Sequence, residues 1–297
     1  MIQLESKTSG RYRFTRVQSK NGNIREQTPW FNNLITDNGL DLMNDGNYLN
    51  ECAVGTDSTT PDFTDTSLGS IVASTTQSTS TEGRQITTSP FYTFIIEKFE
   101  FAEGVAAGNL AEVGVGSSAT NLFSRALIKD GSGNPTTITV LSDEFLRVEY
   151  EFRAEIPETD TTGTFDIDGT TYTWTGRAGE IDRDWVIAGS TARRWAISPS
   201  TFDNRAYEGD IGSLTASPSG SSQAAGSVNV LTYNSGDHKS SAEITYGPTD
   251  ANFTNGIGAI ALFPEGVTFY QIGFSPKIPK TDVDEFTITV SQSWTRK

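Results

Sequence analysis

The sequence predicts an all-β protein: an antiparallel β-sandwich, jelly-roll-like, with one short amino-terminal helix and an amino-terminal β-hairpin arm. Three observations predict it. First, residues Phe145 to Ile156 alternate without a break. Leu146, Val148, Tyr150, Phe152, Ala154 and Ile156 fall on one side, and Phe145, Arg147, Glu149, Glu151, Arg153 and Glu155 on the other. Side chains of a strand point to opposite faces in turn, so this is a strand with one face in a core and one face wet. Second, the same period recurs from Phe286 to Trp294. These two strands are expected as neighbours, with Tyr150 and Trp294 in the core. Third, Asn21-Gly22 and Asp168-Gly169 sit between alternating segments. Such dipeptides supply the two positive-φ positions of a type I′ hairpin turn.

The remaining elements follow in order. From Arg11 to Arg16, Tyr12 and Phe14 oppose Arg11 and Arg13, and the chain returns after Asn21-Gly22, which gives a hairpin over residues 11–28. Two strands alone cannot bury those aromatics. A helix is predicted from about Asn33 to Asn44, capped by Asn32 or Asn33, with Leu34, Ile35 and Leu42 on one face. Strands follow near Phe91 to Phe101, Ala111 to Val115, Asn121 to Ile128 and Thr136 to Leu141, then Ser227 to Tyr233, Ser240 to Tyr246, Ile257 to Phe263 and Thr268 to Phe274. Residues 157–226 hold Trp174, Trp185 and Trp195 and a Ser/Gly/Pro/Ala-rich loop, which reads as an exposed elaboration. The expected division is therefore 1–50 for arm and helix, 51–156 with 227–297 for the sandwich body, and 157–226 for the elaboration.

Composition bounds the function. The chain has 297 residues, a net charge of −15, one cysteine and one histidine. Binding nucleic acid through a general electrostatic field is not expected of so acidic a chain. Residues 1–29 run against this trend: Lys7, Arg11, Arg13, Arg16, Lys20 and Arg25 outnumber Glu5 and Glu26, so the segment carries +4 and the remainder −19. A basic arm on an acidic body favours contact between copies, and Arg11, Tyr12, Arg13, Phe14, Arg16 and Trp30 are the expected interface residues. Cys52 reads as a small buried hydrophobe. No signal-peptide pattern opens the chain and no apolar run is long enough to span a bilayer. Assembly in a cytoplasm without membrane insertion is the expectation.

Two segments carry a resemblance. The stretch from Trp30 to Gly69 holds N-x-L-I-T-x-x-G-L-D at Asn32 to Asp41 and V-G-T-x-S-T-x-P at Val54 to Pro61. GNLAEVGVG at Gly108 to Gly116, followed by NLFSRALIKD at Asn121 to Asp130, carries N-x-x-E-x-G and then L-x-x-R-A. Together these cover about a third of the chain and resemble tail-associated structural proteins of tailed bacteriophages, the tail-fibre and tail-tip proteins in particular. The resemblance implies a structural virion component that works as a homo-oligomer and through contacts with other virion proteins. Collar and capsid-decoration roles stay open beside the tail.

No constellation points to catalysis, so an enzyme is not expected, nor a cofactor. Asp166-Ile167-Asp168-Gly169 looks like the start of a calcium loop, but Thr170 and Arg177 occupy the fifth and twelfth positions, where ligands are needed. His238 lies in a loop without a nucleophile elbow. Gly114 to Ser118 lacks the Gly-Lys-Ser/Thr of a phosphate loop. Glu180, Asp182 and Asp184 stand beside Trp185 among Arg177, Arg183, Arg193 and Arg194, where surface ion pairs are the main reading. The alternative function is a carbohydrate- or receptor-binding module, with Trp174, Trp185 and Trp195 as glycan platforms.

Overall fold

The computed structural model describes residues 1–182, 203–263 and 269–297. In chain order the elements are β1 (Ile2–Gln18), β2 (Ile24–Gln27), β3 (Phe31–Asn32), β4 (Leu34–Ile35), helix α1 (Asp37–Asp45), β5 (Glu51–Gly55), β6 (Ile71–Thr75), β7 (Ser78–Gln85), β8 (Tyr92–Phe101), β9 (Gly108–Leu110), β10 (Glu112–Ser118), β11 (Asn121–Leu127), β12 (Ile138–Val140) and β13 (Glu144–Glu155). They continue with β14 (Thr161–Ile167), β15 (Thr170–Ala178), β16 (Asp203–Tyr207), β17 (Ser222–Ala224), β18 (Ser227–Val230), β19 (Lys239–Tyr246), β20 (Ile257–Phe263), β21 (Tyr270–Ile278) and β22 (Phe286–Arg296). Among the described residues the protein is all-β with one short helix, built from antiparallel sheets in a sandwich-like arrangement.

The chain forms two compact units. The first comprises Met1–Lys7, Arg84–Thr93 and Glu155–Thr295, and the second Thr8–Gly83, Phe94–Ala154 and Arg296–Lys297. This corrects the expected division in two places. Residues 1–50 are not an arm, because β1 runs for 17 residues and serves both units. The described strands of residues 157–226 are not a separate elaboration either: β14, β15, β16 and β17 belong to a six-stranded sheet of order β14-β15-β21-β20-β16-β17.

In the first unit that sheet packs on β19, β22 and the start of β1. Tyr172, Trp174, Ile260, Ile272 and Phe274 meet Ile2, Leu4, Ile244, Ile288 and Val290 in one core. The β14–β15 hairpin is closed as the sequence indicates. Ile167 lies opposite Thr170, and the two residues between them have φ of 48° at Asp168 and 79° at Gly169. Trp174 alternates with Thr173 and Thr175, so its ring turns inward and is only 9% exposed. It is a core residue and not an exposed platform. Trp185 and Trp195 lie outside the described residues.

The second unit sets a five-stranded sheet, β4-β11-β10-β5-β6, against β1 and β13. Its core is aromatic. Tyr12 and Tyr150 have ring centroids 4.6 Å apart, Tyr48 and Phe123 4.7 Å, and Phe123 and Phe152 5.7 Å. The Tyr12 hydroxyl lies 2.6 Å from Ser124 Oγ, which satisfies both buried groups. The alternation of β13 places Leu146, Val148, Tyr150, Phe152 and Ala154 in the interior, as the sequence requires. Tyr150 and Trp294 are both fully buried, but their strands are not neighbours. In the sheet order β1 stands between β13 and β22, and it is Tyr12 of β1 that lies opposite Tyr150.

Two local boundaries also differ. Leu34 and Ile35 form strand, pairing with Arg125 and Ser124, and the helix begins only after Thr36. Thr36 Oγ1 accepts from the Gly39 amide as N-cap, while Gly46 closes the helix in the left-handed region with φ of 78°. The loop after β1 is wider than a two-residue turn: only Gly22 has positive φ there, and Val17 is the last residue to pair, with Ile24.

Candidate functional site: a charge ladder and a buried arginine

The residues expected at an interface are assembled on the chain's own strands. Antiparallel pairing puts Arg11 directly opposite Glu151 and Arg13 opposite Glu149. Arg11 Nη2 reaches Glu151 at 2.6 Å and Arg13 Nε reaches Glu149 at 2.7 Å. Arg16 pairs with Glu26 at 3.1 Å and with Glu144 at 3.6 Å. Arg153 donates to the other oxygen of Glu151, and Lys98 lies 3.8 Å from Glu149. Trp30 joins this ladder, since the guanidinium carbons of Arg11 and Arg13 lie 4.6 and 4.5 Å from its ring centroid. Each such cation–π contact contributes about 0.5–1 kcal/mol at a partly exposed position.

This overturns the reading of residues 1–29 as a docking arm. Tyr12 and Phe14 are both 0% exposed inside the second unit, where each stabilises the fold by roughly 1.5–3 kcal/mol. Arg11, Arg13 and Arg16 are matched by carboxylates of the same chain. The local excess of +4 is real in the sequence, but the fold places acidic residues from far along the chain against it. Of the six expected interface residues, Arg11, Arg13 and Trp30 share one surface ladder, Arg16 pairs at the end of β1, and Tyr12 and Phe14 are core.

The segments that carry the resemblance meet elsewhere in the second unit. Glu112 on β10 and Arg125 on β11 are 0% and 3% exposed. Arg125 Nη2 lies 2.8 Å from Glu112, its Nη1 2.7 Å from Asp65, and Nη2 also reaches Asp57 and the Thr59 carbonyl, both at 3.2 Å. Glu112 accepts in addition from the amides of Asp57, Gly69 and Ser70. One ion pair between adjacent strands thus fastens both ends and the middle of the loop between β5 and β6. Burial works against the Arg125 charge, but hydrogen bonds with Asp65 and Glu112 outweigh it and the guanidinium is held above its ordinary pKa. The hydroxyl of Thr59 is the main cause that holds Asp57 below the usual carboxylate range.

Gly39 belongs to the same region. A Cβ there would lie 2.0 Å from the Phe123 carbonyl oxygen, so only glycine lets α1 approach β11 this closely. Thr36, the helix cap, donates to the Leu122 carbonyl at 3.0 Å. The Asn32–Asp41 segment, the loop after Val54, Glu112 and the Leu122–Ala126 segment are therefore one connected knot. Sequence reasoning picks out these segments by resemblance and misses their pairing. The readable signal is a lone Glu and a lone Arg as the only charged residues of two strands that follow one another.

The other residues singled out in the sequence are placed as follows. Cys52 is fully buried, and burial pushes its thiol pKa up. Asp166 accepts from Thr171 and Asp168 forms the hairpin turn. Arg177 pairs with Asp160 at 2.6 Å. Glu180 is buried near Ser217, which donates to it, and Asp182 is exposed beyond the end of β15. Arg183, Asp184, Arg193 and Arg194 lie outside the described residues. Among the described residues no group of three or more His, Cys, Asp or Glu is placed to hold a metal ion, and no helix is long and apolar enough to cross a membrane. No protein-family model, no characterised protein and no solved structure matches this chain.

Proposed function

We propose that the chain is a structural component of a tailed-phage virion, tail-associated, which acts by oligomeric assembly and protein–protein contact and not by catalysis. The observation that carries this reading is the knot around Arg125. The residues that resemble tail proteins are spent on fastening one loop and one helix to one sheet, which is the work of a building block.

In place of the arm, the assembly contact falls on β6. It is the edge strand of the five-stranded sheet, and it exposes Ile71 by 42% and Val72 by 39%. An exposed edge with apolar side chains is a template for strand addition by another chain. The loop that leads into β6 is the one Arg125 holds, so the knot presents this edge in a fixed register. The test is the mass of the chain in solution, with and without Ile71→Lys and Val72→Lys. Assembly that the double variant abolishes while the fold survives supports the reading, and a wild-type chain that stays monomeric and is missing from purified particles overturns it.

A further inference from the structure

Three Asn-Gly pairs occur in the chain: Asn21-Gly22, Asn38-Gly39 and Asn255-Gly256. An asparagine before a glycine is chemically labile in water. The backbone nitrogen of the glycine attacks the asparagine Cγ and a new C–N bond forms. The bond from Cγ to Nδ2 breaks, and ammonia leaves. Water then opens the cyclic imide at one carbonyl or the other, giving aspartate or isoaspartate. Glycine favours the attack because it has no Cβ to crowd its nitrogen. No catalyst is needed, only a backbone free to bring that nitrogen onto the side chain. The fold treats the three pairs differently in this respect.

Asn38-Gly39 lies in the first turn of α1. Gly39 is buried, its amide donates to the Thr36 hydroxyl at 2.9 Å, and a Cβ on it would lie 2.0 Å from the Phe123 carbonyl oxygen. The Asn38 carboxamide nitrogen donates to Asn121 Oδ1 and to the Leu122 carbonyl, each at 2.9 Å. Ring closure there would break the helix cap and the contact with β11. Asn255-Gly256 stands just before β20. Gly256 is buried and its amide donates to the Phe253 carbonyl at 3.1 Å. Asn255 Nδ2 donates to Glu208 Oε1 at 2.9 Å. A Cβ on Gly256 would lie 2.6 Å from the Ile278 carbonyl oxygen, so this backbone is packed against β21.

Asn21-Gly22 is held by far less. Residues 20–27 are all exposed, and a Cβ on Gly22 would meet nothing within 4 Å. The Gly22 amide donates to the Gln18 carbonyl at 2.9 Å, and Asn21 Oδ1 accepts from the Asn23 amide at 3.0 Å. Both bonds lie within one turn at the surface, where local opening disturbs no core and costs little.

We propose that Asn21 is a self-modification site: the folded chain deamidates there through an imide with Gly22, while Asn38 and Asn255 are protected. The product places a negative charge between Lys20 and Arg25, and residues 1–29 fall from +4 to +3. In isoaspartate the main chain runs through the side-chain carbon, so one more atom enters the turn between β1 and β2. The pairing of Ile24 with Val17 is expected to loosen, and the pairing of β1 with β13 to persist. None of this depends on the virion reading.

The experiment incubates the folded full-length chain at mildly alkaline pH, where a backbone amide loses its proton more readily, beside a sample in urea. Both are digested and mapped by mass spectrometry, with fragmentation that separates isoaspartate from aspartate. All three pairs are expected to convert in urea. In the folded chain Asn21 is expected to convert to a mixture of the two acids, and Asn38 and Asn255 about ten-fold or more slowly, because their conversion requires a packed helix or sheet to open. Asn21→Gln, whose longer side chain closes the ring far less readily, should remove the acidic species at this turn. An Asn21 that stays unmodified in the folded chain, conversion of Asn38 or Asn255 as fast as that of Asn21, or the same acidic species in Asn21→Gln would overturn the proposal.

Discussion

Replacing Arg125 by methionine is the sharpest perturbation of the knot. Methionine keeps much of the volume and removes the charge. Glu112, 0% exposed, loses its ion partner and keeps only the three amides of Asp57, Gly69 and Ser70. Breaking a buried ion pair from one side costs about 3–5 kcal/mol. The three remaining amide donors hold part of the Glu112 charge, so the expected loss is toward the lower end of that range, about 3 kcal/mol. Glu112→Gln leaves an acceptor for those amides and removes the buried charge, so it is expected to cost about 1–2 kcal/mol. The two residues share one network, so the double variant is expected to be more stable than the sum of the two single losses predicts, by about 1 kcal/mol or more, the order seen for coupled neighbours. Chemical denaturation gives the stabilities, and hydrogen exchange over residues 56–70 reports the loop locally, which matters because two units need not unfold together. Exchange in that loop should accelerate far more than in β14 and β15. A methionine variant within about 0.5 kcal/mol of wild type, in the range of ordinary surface substitutions, or strict additivity in the double variant, would refute the reasoning.

Three further outcomes are expected. Gly39→Ala should destabilise even though alanine gains about 1 kcal/mol of helix propensity, because its Cβ would meet the Phe123 backbone oxygen at 2.0 Å; a rise in the unfolding midpoint contradicts the packing. On alkaline titration followed by tyrosinate absorbance, Tyr12, Tyr150 and Tyr270 should resist ionisation, with burial the main cause and Tyr270 pushed up to about 12. Their folded pKa values are raised, so the stability they lend is complete below about 10, the unfolded value, and is lost as pH rises through the folded values; a smooth titration of all nine tyrosines near 10 counts against their burial. In acid the sign reverses: Asp57 and Asp62 are depressed, chiefly by the hydroxyls of Thr59 and Thr64, so the β5–β6 loop should hold above about pH 4 and loosen as pH falls through their folded values, seen as faster exchange there.

The parts of the fold legible in the sequence are those in which period two is unbroken. β13 can be read residue by residue from Leu146 to Ala154 because each inward side chain there is apolar, and Asp168-Gly169 marks the β14–β15 hairpin by backbone chemistry alone. The first residues of β1 escape such a reading because Ser6 and Thr8 take inward positions; they are 1% and 0% exposed, and Ser6 Oγ lies 2.7 Å from the Tyr270 hydroxyl, 264 residues away. The docking-arm reading fails for a related reason. The charges of Arg11 and Arg13 look unmatched until pairing brings up Glu151 and Glu149, and no local pattern announces a partner 140 or 136 residues distant. Trp174 reads as exposed because the threonines and glycines around it suggest a loop, whereas Thr171, Thr173 and Thr175 form the outward face of β15.

An electron-microscopy map of the particle, with a tag inserted at the Asp168-Gly169 turn, decides whether the proposed tail assembly exists. The expected result is extra density repeated around the tail, with several copies in symmetric arrangement. Density absent from the particle, or a tagged chain found only free in the lysate, would contradict it.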